Sequence, residues 1–215
     1  MADSLTGLQI LRARGIDRFV DLGSGGGFPG LTLAAALPAD RALLVDSIGK
    51  KARFLTAAAA ATGLADHVAA VAARSEDLVT RGSDRGAWPA VTARAVASLA
   101  ELIELGLPFL RPGGILVAWK RGPADDPDGL GGELAAGAAA VRAIDPGGRI
   151  DVVPAVPRNQ PGRAATPPAD LAEHVLVVVE RGRGPIDDGW PRDPAARRRH
   201  PWTATAGAGP RGEAA

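Results

Sequence analysis

The sequence predicts an α/β fold with a mostly parallel sheet, and three observations lead to this prediction. Short β-type runs alternate with helical segments along most of the chain. Several of these runs are continuously apolar, as expected of strands that are buried on both faces. A glycine-rich loop follows the first run, where ligands bind beyond the carboxyl ends of such strands. Each crossover between parallel strands is expected to be right-handed.

Hydrophobic periodicity and turn residues assign the individual elements. A helix is expected over residues 3–15, ending at Gly15, and a first strand over residues 16–22. Further strands are predicted in RALLVDS, HVAAVAA, WPAVTARAV, GGILVAWK, RIDVVPAV and EHVLVVVE. Helices are predicted in GLTLAAALP, GKKARFLTAAAAATGL, SLAELIELGLPFL (with Ser98 as its N-cap) and GGELAAGAAAVRAI.

The composition excludes several classes of protein. Apolar residues make up 46% of the chain, enough for a core, and the net charge of +1 indicates no particular partner. Neither an apolar run of membrane-spanning length nor a secretory signal is found, so we expect a cytoplasmic protein with no membrane partner. The absence of cysteine removes disulfides, thiolate nucleophiles and Cys-based zinc sites, and no metal is expected.

The loop DLGSGGGFPG (residues 21–30) has three interpretations, since a run of glycines matches G-x-G-x-x-G by chance. It is a turn without a ligand, a dinucleotide site, or a site for S-adenosylmethionine. A carboxylate at Asp21 would repel a pyrophosphate but suits a ligand that carries an ammonium and a sulfonium group. Pro29 removes one N–H group that a phosphate would use. These two residues favour S-adenosylmethionine.

Asp46, at the end of the second predicted strand, is a candidate ribose ligand. Its two carboxylate oxygens can accept hydrogen bonds from both ribose hydroxyls. Because such an acid serves NAD as well as S-adenosylmethionine, it supports a nucleoside without choosing between them. The alternative is that Asp46 caps the helix predicted over residues 48–62.

Several blocks of the sequence follow one another in the order of a known family. They are DLGSGGGFPGLTLA, LLVDSIGKKARFL, RSEDL, VTARAVASLAELIELGLPFLRPGGILVAWKRG and HVLVVVER. From Asp3 to about Trp202 the chain resembles the ribosomal RNA small-subunit guanine-N7 methyltransferase family, also called glucose-inhibited division protein B. DSIGKK and RAVASL are the most specific blocks. The family normally has a helical segment before the DSL found here at residues 3–5, and this sequence begins almost at that point.

The resemblance implies a seven-stranded, Rossmann-like, S-adenosylmethionine-dependent methyltransferase sheet, mostly parallel with one antiparallel late strand. It implies methylation of N7 of a guanine in small-subunit (16S) ribosomal RNA, with S-adenosyl-L-methionine as cofactor and the ribosomal RNA or small subunit as partner. The alternatives are a methyltransferase for a small molecule or protein, and a non-catalytic RNA-binding remnant. An NAD-linked oxidoreductase is disfavoured because no His, Tyr or Lys dyad for hydride transfer is found. A monomer is the expected state.

The resemblance also assigns the cofactor-binding residues, in addition to Asp21 and Asp46. Gly23 and Gly25 would let the backbone approach the methionine end of the cofactor, and Phe28 would form a wall beside it. Ser75 and Glu76 match the family's adenosine-binding pair. As bare residues they are a helix N-cap and a surface acid.

Arg94 matches a family arginine at the cofactor's reactive end, so the resemblance makes it a candidate cofactor-binding residue. Arg94 and Lys120 are also the candidates for the rim that positions the substrate. Taken alone, they are a surface arginine and a lysine whose stem covers apolar surface. No catalytic general base is required, because guanine N7 carries a lone pair and no proton. The sequence is consistent with this, since none of its three histidines falls in a motif and TARA stands where amino-group methyltransferases have D/N-P-P-Y/F. The protein's task is then alignment.

We expect a methyltransferase domain over residues 1–182, a basic C-terminal extension over 183–202 and a disordered tail over 203–215. Basic residues of the extension are candidates for phosphate contacts with RNA, and the alternative is a solvated charge run. They are Arg192, Arg197, Arg198 and Arg199, with Arg121 near the pocket.

Overall fold

The computed structural model describes residues 2–37, 40–155, 171 and 173–203, and these ranges contain a seven-stranded sheet with helices on both faces. The strands are β1 (Arg18–Leu22), β2 (Arg41–Asp46), β3 (Val68–Ala72), β4 (Trp88–Arg94), β5 (Leu110–Arg121), β6 (Arg149–Pro154) and β7 (His174–Glu180). The α-helices are α1 (Leu8–Ala13), α2 (Gly30–Ala36), α3 (Gly49–Ala61), α4 (Ser75–Arg81), α5 (Leu99–Gly106), α6 (Leu130–Ile144) and α7 (Pro194–Arg199). Residues Ala2–Gly7 and Leu107–Phe109 form 3₁₀ helices.

The strand order of the sheet is β3-β2-β1-β4-β5-β7-β6. Strands β1 to β5 pair in parallel, whereas β7 is antiparallel to both of its neighbours, β5 and β6. The prediction of a mostly parallel sheet with one antiparallel late strand is therefore confirmed. The order reverses between β1 and β4, which is the point where ligands bind to open α/β sheets.

The core lies on both faces of the sheet, as the apolar runs predicted. On one face, helices α5 and α6 contribute buried residues such as Ile103 and Ile144. On the other face, α1, α2 and α3 contribute Leu11, Leu33 and Leu55. A strand between two such layers needs apolar side chains on both sides, so its sequence shows a continuous run instead of alternation.

The N-terminal segment differs from the single helix predicted over residues 3–15. It forms a 3₁₀ helix followed by α1, because a distant side chain binds its backbone. The indole Nε1 of Trp119 donates to the carbonyl oxygen of Asp3 at 2.8 Å, and the Thr6 hydroxyl donates to the same oxygen at 2.7 Å. The Trp119 ring also lies 2.6 Å from the position that a Cβ on Gly7 would occupy.

Two short helices, α4 and α7, were not predicted from the sequence. The signal for α7 was present, since Asp193 accepts hydrogen bonds from the N–H groups of Ala195 and Ala196 and is followed by proline at the first helical position. The Ser98 cap of α5 is confirmed by a bond from Glu101 N at 3.4 Å. The Pro-rich connection expected near residues 158–170 and the expected tail beyond residue 203 lie outside the described residues.

The C-terminal segment, residues 183–203, packs on α5. Its anchor is Glu104, whose side chain is completely buried. Arg192 donates to both Glu104 oxygens, at 3.0 and 2.7 Å, and Trp202 Nε1 donates to Oε2 at 2.7 Å. The guanidinium of Arg192 lies 4.8 Å from the Trp202 ring centre, and Trp190 stacks on Trp202 at 5.9 Å. A buried carboxylate is tolerated only with such partners, so this cluster fixes the segment. The domain boundary at residue 182 stays a prediction.

We expect Glu104→Ala to lower the free energy of unfolding by roughly 3–5 kcal/mol, because it leaves the buried Arg192 guanidinium without its acceptor. Trypsin should then cut the C-terminal arginines faster under native conditions. Glu173→Ala is the matched control, since its pair with Arg121 is largely exposed and should contribute less than about 1 kcal/mol. Equal losses in the two variants, measured by urea denaturation, would contradict the anchoring role.

Candidate functional site

Two neighbouring cavities lie at the carboxyl ends of the parallel strands. The larger cavity has a volume of about 290 Å³ and the smaller one about 230 Å³. Polar and charged residues around the larger cavity are Asp46, Ser47, Arg74, Ser75, Glu76, Glu101 and Arg197. The smaller cavity is lined by Asp3, Arg94, Ala95, Trp119, Lys120, Arg121 and His174.

The turn after β4 separates the two cavities. Arg94 and Ala95 line the smaller cavity, while Val96 and Ala97 line the larger one. The backbone of Ala95 has φ of 55°, a left-handed conformation that costs a residue with a Cβ on the order of 1 kcal/mol. The first two residues of this segment thus border the smaller cavity and the next two border the larger one.

Gly23 is required by its contact with this turn. Its φ is +65°, and a Cβ on it would lie 2.6 Å from Cγ2 of Val96. A side chain at this position would therefore push the glycine loop away from the turn after β4. Gly23 lines the larger cavity, and its predicted contact with the cofactor stays a prediction.

Asp21 does not line either cavity, although the sequence analysis expected it beside the charged end of the cofactor. Its side chain is completely buried. One oxygen accepts from the Thr92 hydroxyl at 2.7 Å and the other from Gly30 N at 3.2 Å. The expectation that Asp21 contacts the cofactor directly is corrected, because these bonds point its carboxylate into the protein interior and away from both cavities. Burial raises the pKa of Asp21 to about 6, and the hydrogen bonds from Thr92 and Gly30 oppose this rise.

Asp46 faces the larger cavity and is 5% exposed. Its Oδ2 accepts from Gly25 N at 3.0 Å, and its Oδ1 accepts from Ile48 N at 2.9 Å. Asp46 is not the N-cap of α3, which is Ile48, but it holds the turn that enters this helix and joins the glycine loop to β2. Its role as a ribose ligand stays a prediction. Each oxygen keeps a second lone pair for a ligand hydroxyl.

Ser75 and Glu76 begin α4 and line the same cavity. The Ser75 hydroxyl donates to Glu76 Oε2 at 3.2 Å, and Arg197 donates to Glu76 Oε1 at 2.8 Å. Partial burial alone would raise the pKa of Glu76, but the hydrogen bond and charge of Arg197 outweigh it and hold the pKa below its usual value. Glu76 is therefore a charged acceptor at neutral pH.

Phe28 and Arg94 form a contact at the smaller cavity. The Arg94 guanidinium lies 5.7 Å from the centre of the Phe28 ring, within cation–π range. Phe28 is half-buried and is not among the lining residues of either cavity. Its predicted place as a cofactor wall stays a prediction, while the structure assigns it the support of Arg94.

Lys120 lies in the smaller cavity beside Arg94, as predicted for a rim residue. Its ammonium donates to Glu133 at 2.5 Å and to the Ala97 carbonyl at 3.2 Å. Only 14% of its side chain is exposed, so it does not extend into solvent as the alternative interpretation required. It connects the smaller cavity to the turn that borders the larger one.

Two residues of the smaller cavity, Asp3 and His174, received no role from the sequence. Asp3 Oδ2 binds Arg94 Nη1 at 3.2 Å, and Asp3 Oδ1 lies 2.9 Å from His174 Nδ1. The histidines were dismissed because none falls in a motif. The available signal was that Asp3 begins the DSL block and His174 begins the HVLVVVER block, but only the fold brings these two ends of the chain together.

The C-terminal arginines do not form one phosphate-binding group. Arg192 and Arg197 are largely buried against Glu104 and Glu76, which corrects their expected role as phosphate ligands. Arg198 and Arg199 are exposed. Arg121 lines the smaller cavity and pairs with Glu173 at 3.2 Å. Fewer of these arginines are therefore available to bind RNA phosphates than the sequence predicted.

The described ranges contain no group of three or more His, Asp or Glu side chains placed to hold a metal ion. Within the same ranges, none of the helices has the length and apolar character needed to cross a bilayer.

The burial of Asp21 predicts a pH-dependent stability difference from Asp21→Asn. Because the folded pKa lies above the ordinary value of 3.8, the contribution of Asp21 to stability is fully present below that value and is lost as the pH rises through about 6. Relative to Asp21→Asn, the wild type should lose roughly 3 kcal/mol across this window. Urea denaturation of both proteins between about pH 4 and pH 7 measures it. A pH-independent difference between them would show that Asp21 is not titrating there.

The comparisons with known proteins agree with this fold. The family described as GidB, rRNA small subunit methyltransferase G, matches residues 1–127. The protein named ribosomal RNA small subunit methyltransferase G in Deinococcus deserti is 40% identical over 94% of this chain and 76% of its own length. Its counterpart in Deinococcus radiodurans is 39% identical over 88% of the chain and 68% of its own length, and that in Sorangium cellulosum is 46% identical over 58% and 52%.

Solved structures show the same fold at low sequence identity. An S-adenosylmethionine-dependent O-methyltransferase from Thermotoga maritima has a TM-score of 0.60 at 16% identity, over 86% of this chain and 66% of that one. An O-methyltransferase from Bacillus cereus, solved with S-adenosylhomocysteine, has a TM-score of 0.57 at 14% identity, over 83% and 80%. The predicted methyltransferase sheet is thereby confirmed, and the family match over more than half of the residues establishes that the chain belongs to the rRNA small subunit methyltransferase G family.

Proposed function

We propose that this protein transfers a methyl group from S-adenosylmethionine to N7 of a guanine in small-subunit ribosomal RNA. The observation that carries the proposal is the pair of adjoining cavities at the switch point of the sheet, in a member of this family. One cavity offers acceptors for a nucleoside, and the other offers donors and a carboxylate for a base. The relatives' names point to the RNA substrate.

The larger cavity fits a sulfonium nucleoside better than a dinucleotide. Asp46 and Glu76 present carboxylate oxygens, which suit ribose hydroxyls and an exocyclic amine. The first N–H of α2, on Gly30, is already bound to Asp21, and Pro29 before it has none. The usual seat for a pyrophosphate at a helix N-terminus is therefore taken by the protein itself.

The cofactor supplies an electrophilic methyl group on a positively charged sulfur. The residues of the smaller cavity hold the target base, and no side chain needs to remove a proton because N7 has none. Arg94 can donate to guanine O6, which lies beside N7 on the same edge of the base. A bidentate contact that included N7 would block the reaction, so a single donor to O6 is the productive arrangement.

Asp3 balances the charge in the smaller cavity. Methylation leaves a positive charge on the guanine, and Arg94, Lys120 and Arg121 are already cationic neighbours. The Asp3 carboxylate, bound to Arg94 and His174, offsets part of this repulsion. The Asp3 contacts also fix the direction of the Arg94 guanidinium. The rate of methyl transfer depends strongly on how precisely the base is held in line with the methyl group.

The substrate prediction is tested with small subunits from a strain that lacks N7-methylguanine in this RNA. Purified protein and S-adenosylmethionine with a labelled methyl group should label the ribosomal RNA, and borohydride followed by aniline should cleave it at one guanine. Naked RNA and intact subunits are compared directly. Labelling of metabolites or proteins instead of RNA would support the small-molecule or protein alternative. No labelling despite cofactor binding would support the RNA-binding remnant.

Arg94→Gln should lower kcat about 100-fold while changing cofactor affinity by less than about threefold, because it misaligns the base without altering the larger cavity. Arg142→Gln, on the exposed side of α6, is the control and should retain full activity. Steady-state kinetics on small subunits, together with calorimetry for S-adenosylhomocysteine, separate the two parameters. A parallel loss of cofactor binding would place Arg94 on the cofactor instead.

A further inference from the structure

We propose that Arg197 of α7 is a positioning residue of the cofactor site: it orients Glu76 toward the 6-amino group of adenine, and the C-terminal segment is thereby a wall of that site. This inference rests on the proposed function and assigns a role to the C-terminal segment, which lies after the residues 1–127 matched by the family description. It replaces the expectation that the arginine meets RNA.

The contacts of Arg197 place it at the cofactor end of the molecule. Its side chain is 9% exposed and lines the larger cavity together with Glu76 and Glu101. Nη2 donates to Glu76 Oε1 at 2.8 Å, while Nε lies 3.5 Å from Glu101 Oε1. Nη1 donates to the Arg192 carbonyl at 2.6 Å. The hydrogen bonds of Nη1 and Nη2 orient the guanidinium, whereas the Nε contact is an ion pair without a hydrogen bond.

Charge explains why the site needs this cation. Glu76 and Glu101 are two acids on the same side of the larger cavity, and Arg197 is the cation that contacts both. Without it, mutual repulsion and partial burial would favour protonation of Glu76. Protonation would give the carboxyl group a donor where an adenine amine needs an acceptor.

The ligand has a limited set of donors, which identifies the group that Glu76 would bind. The adenosine part of S-adenosylmethionine donates through its two ribose hydroxyls and its 6-amino group. Asp46, at the end of β2, is placed for the hydroxyls. Glu76 then remains for the amine, with Oε1 held by Arg197 and Oε2 by Ser75. Each oxygen retains a lone pair for the amine.

The C-terminal segment is built to hold Arg197 still. Asp193 caps the helix that carries it, and Arg197 N donates to the Asp193 carbonyl at 3.0 Å. Arg192 and Trp202 bind the buried Glu104 of α5 on either side of this helix. The segment therefore connects a fixed point on α5 to the first turn of α4.

The experiment measures S-adenosylhomocysteine binding by calorimetry with the full chain. Arg197→Gln should weaken binding about 10–100-fold, in the range of a lost hydrogen bond to a charged group. Arg197→Lys should recover part of the loss because it restores the charge, and Arg198→Gln, an exposed neighbour on the same helix, should bind as the wild type does. Lowering the pH from about 7.5 to about 5 should weaken binding further in Arg197→Gln than in the wild type, since the unpaired Glu76 becomes protonated.

A second experiment changes the ligand, and its first comparison uses the wild-type protein alone. The wild type should bind a purine analogue of S-adenosylhomocysteine that lacks the 6-amino group at least 10-fold more weakly, whereas Arg197→Gln should distinguish the two ligands less. Equal binding of both ligands by the wild type overturns the inference, as does unchanged affinity in Arg197→Gln at both pH values. Absence of S-adenosylhomocysteine binding by the wild type would instead overturn the proposed function.

Discussion

The carboxylate of Asp21 joins the elements on which the site depends. It lies near the end of β1 and accepts hydrogen bonds from Gly30 N at the start of α2 and from the Thr92 hydroxyl of β4, without any exposure to solvent. Burying a carboxylate is unfavourable, as its raised pKa shows. The bonds that offset this penalty run to both sides of the strand-order switch. They fix the glycine loop relative to the turn after β4, and the two cavities lie on either side of that turn.

Two glycines of the loop, Gly23 and Gly30, are explained by the protein's own packing. At Gly30 a Cβ would lie 2.5 Å from Asp21 Oδ2 and from a methyl group of Leu44, and at Gly23 it would meet Val96. A glycine-rich loop after the first strand is usually interpreted as making room for a ligand. Here the close approach is also to a buried carboxylate, a strand and a turn. Loss of either glycine would displace the loop before any ligand bound.

The sequence predicted what depends on local or nearest-neighbour chemistry. The central strands were found because burial on both faces leaves largely apolar runs, whereas the more exposed edge strands β3 and β6 were found from their hydrophobic periodicity and flanking turn residues. The Ser98 cap could be identified from its position before an apolar segment. The 3₁₀ helix at Ala2–Gly7 could not be predicted, because Trp119, which is distant in the sequence, binds its backbone. Sequence motifs also led to Asp46 and Glu76, which line the larger cavity. They could not show that Asp21 faces away from this cavity or that Arg197 reaches Glu76, because both depend on contacts between distant parts of the chain.

The two cavities are mechanically connected, which matters for a reaction that depends on alignment. Glu133 of α6 accepts from Lys120 of β5 and from Leu99 N at the start of α5, and Lys120 also binds the Ala97 carbonyl. The turn after β4, which separates the cavities, is therefore held by Lys120, which lines the smaller cavity. A displacement of Lys120 would shift Ala97 and Val96, which border the larger cavity. Since methyl transfer to a bare lone pair leaves the protein with alignment as its main contribution, rigidity of this turn is the property that the ion pair supplies.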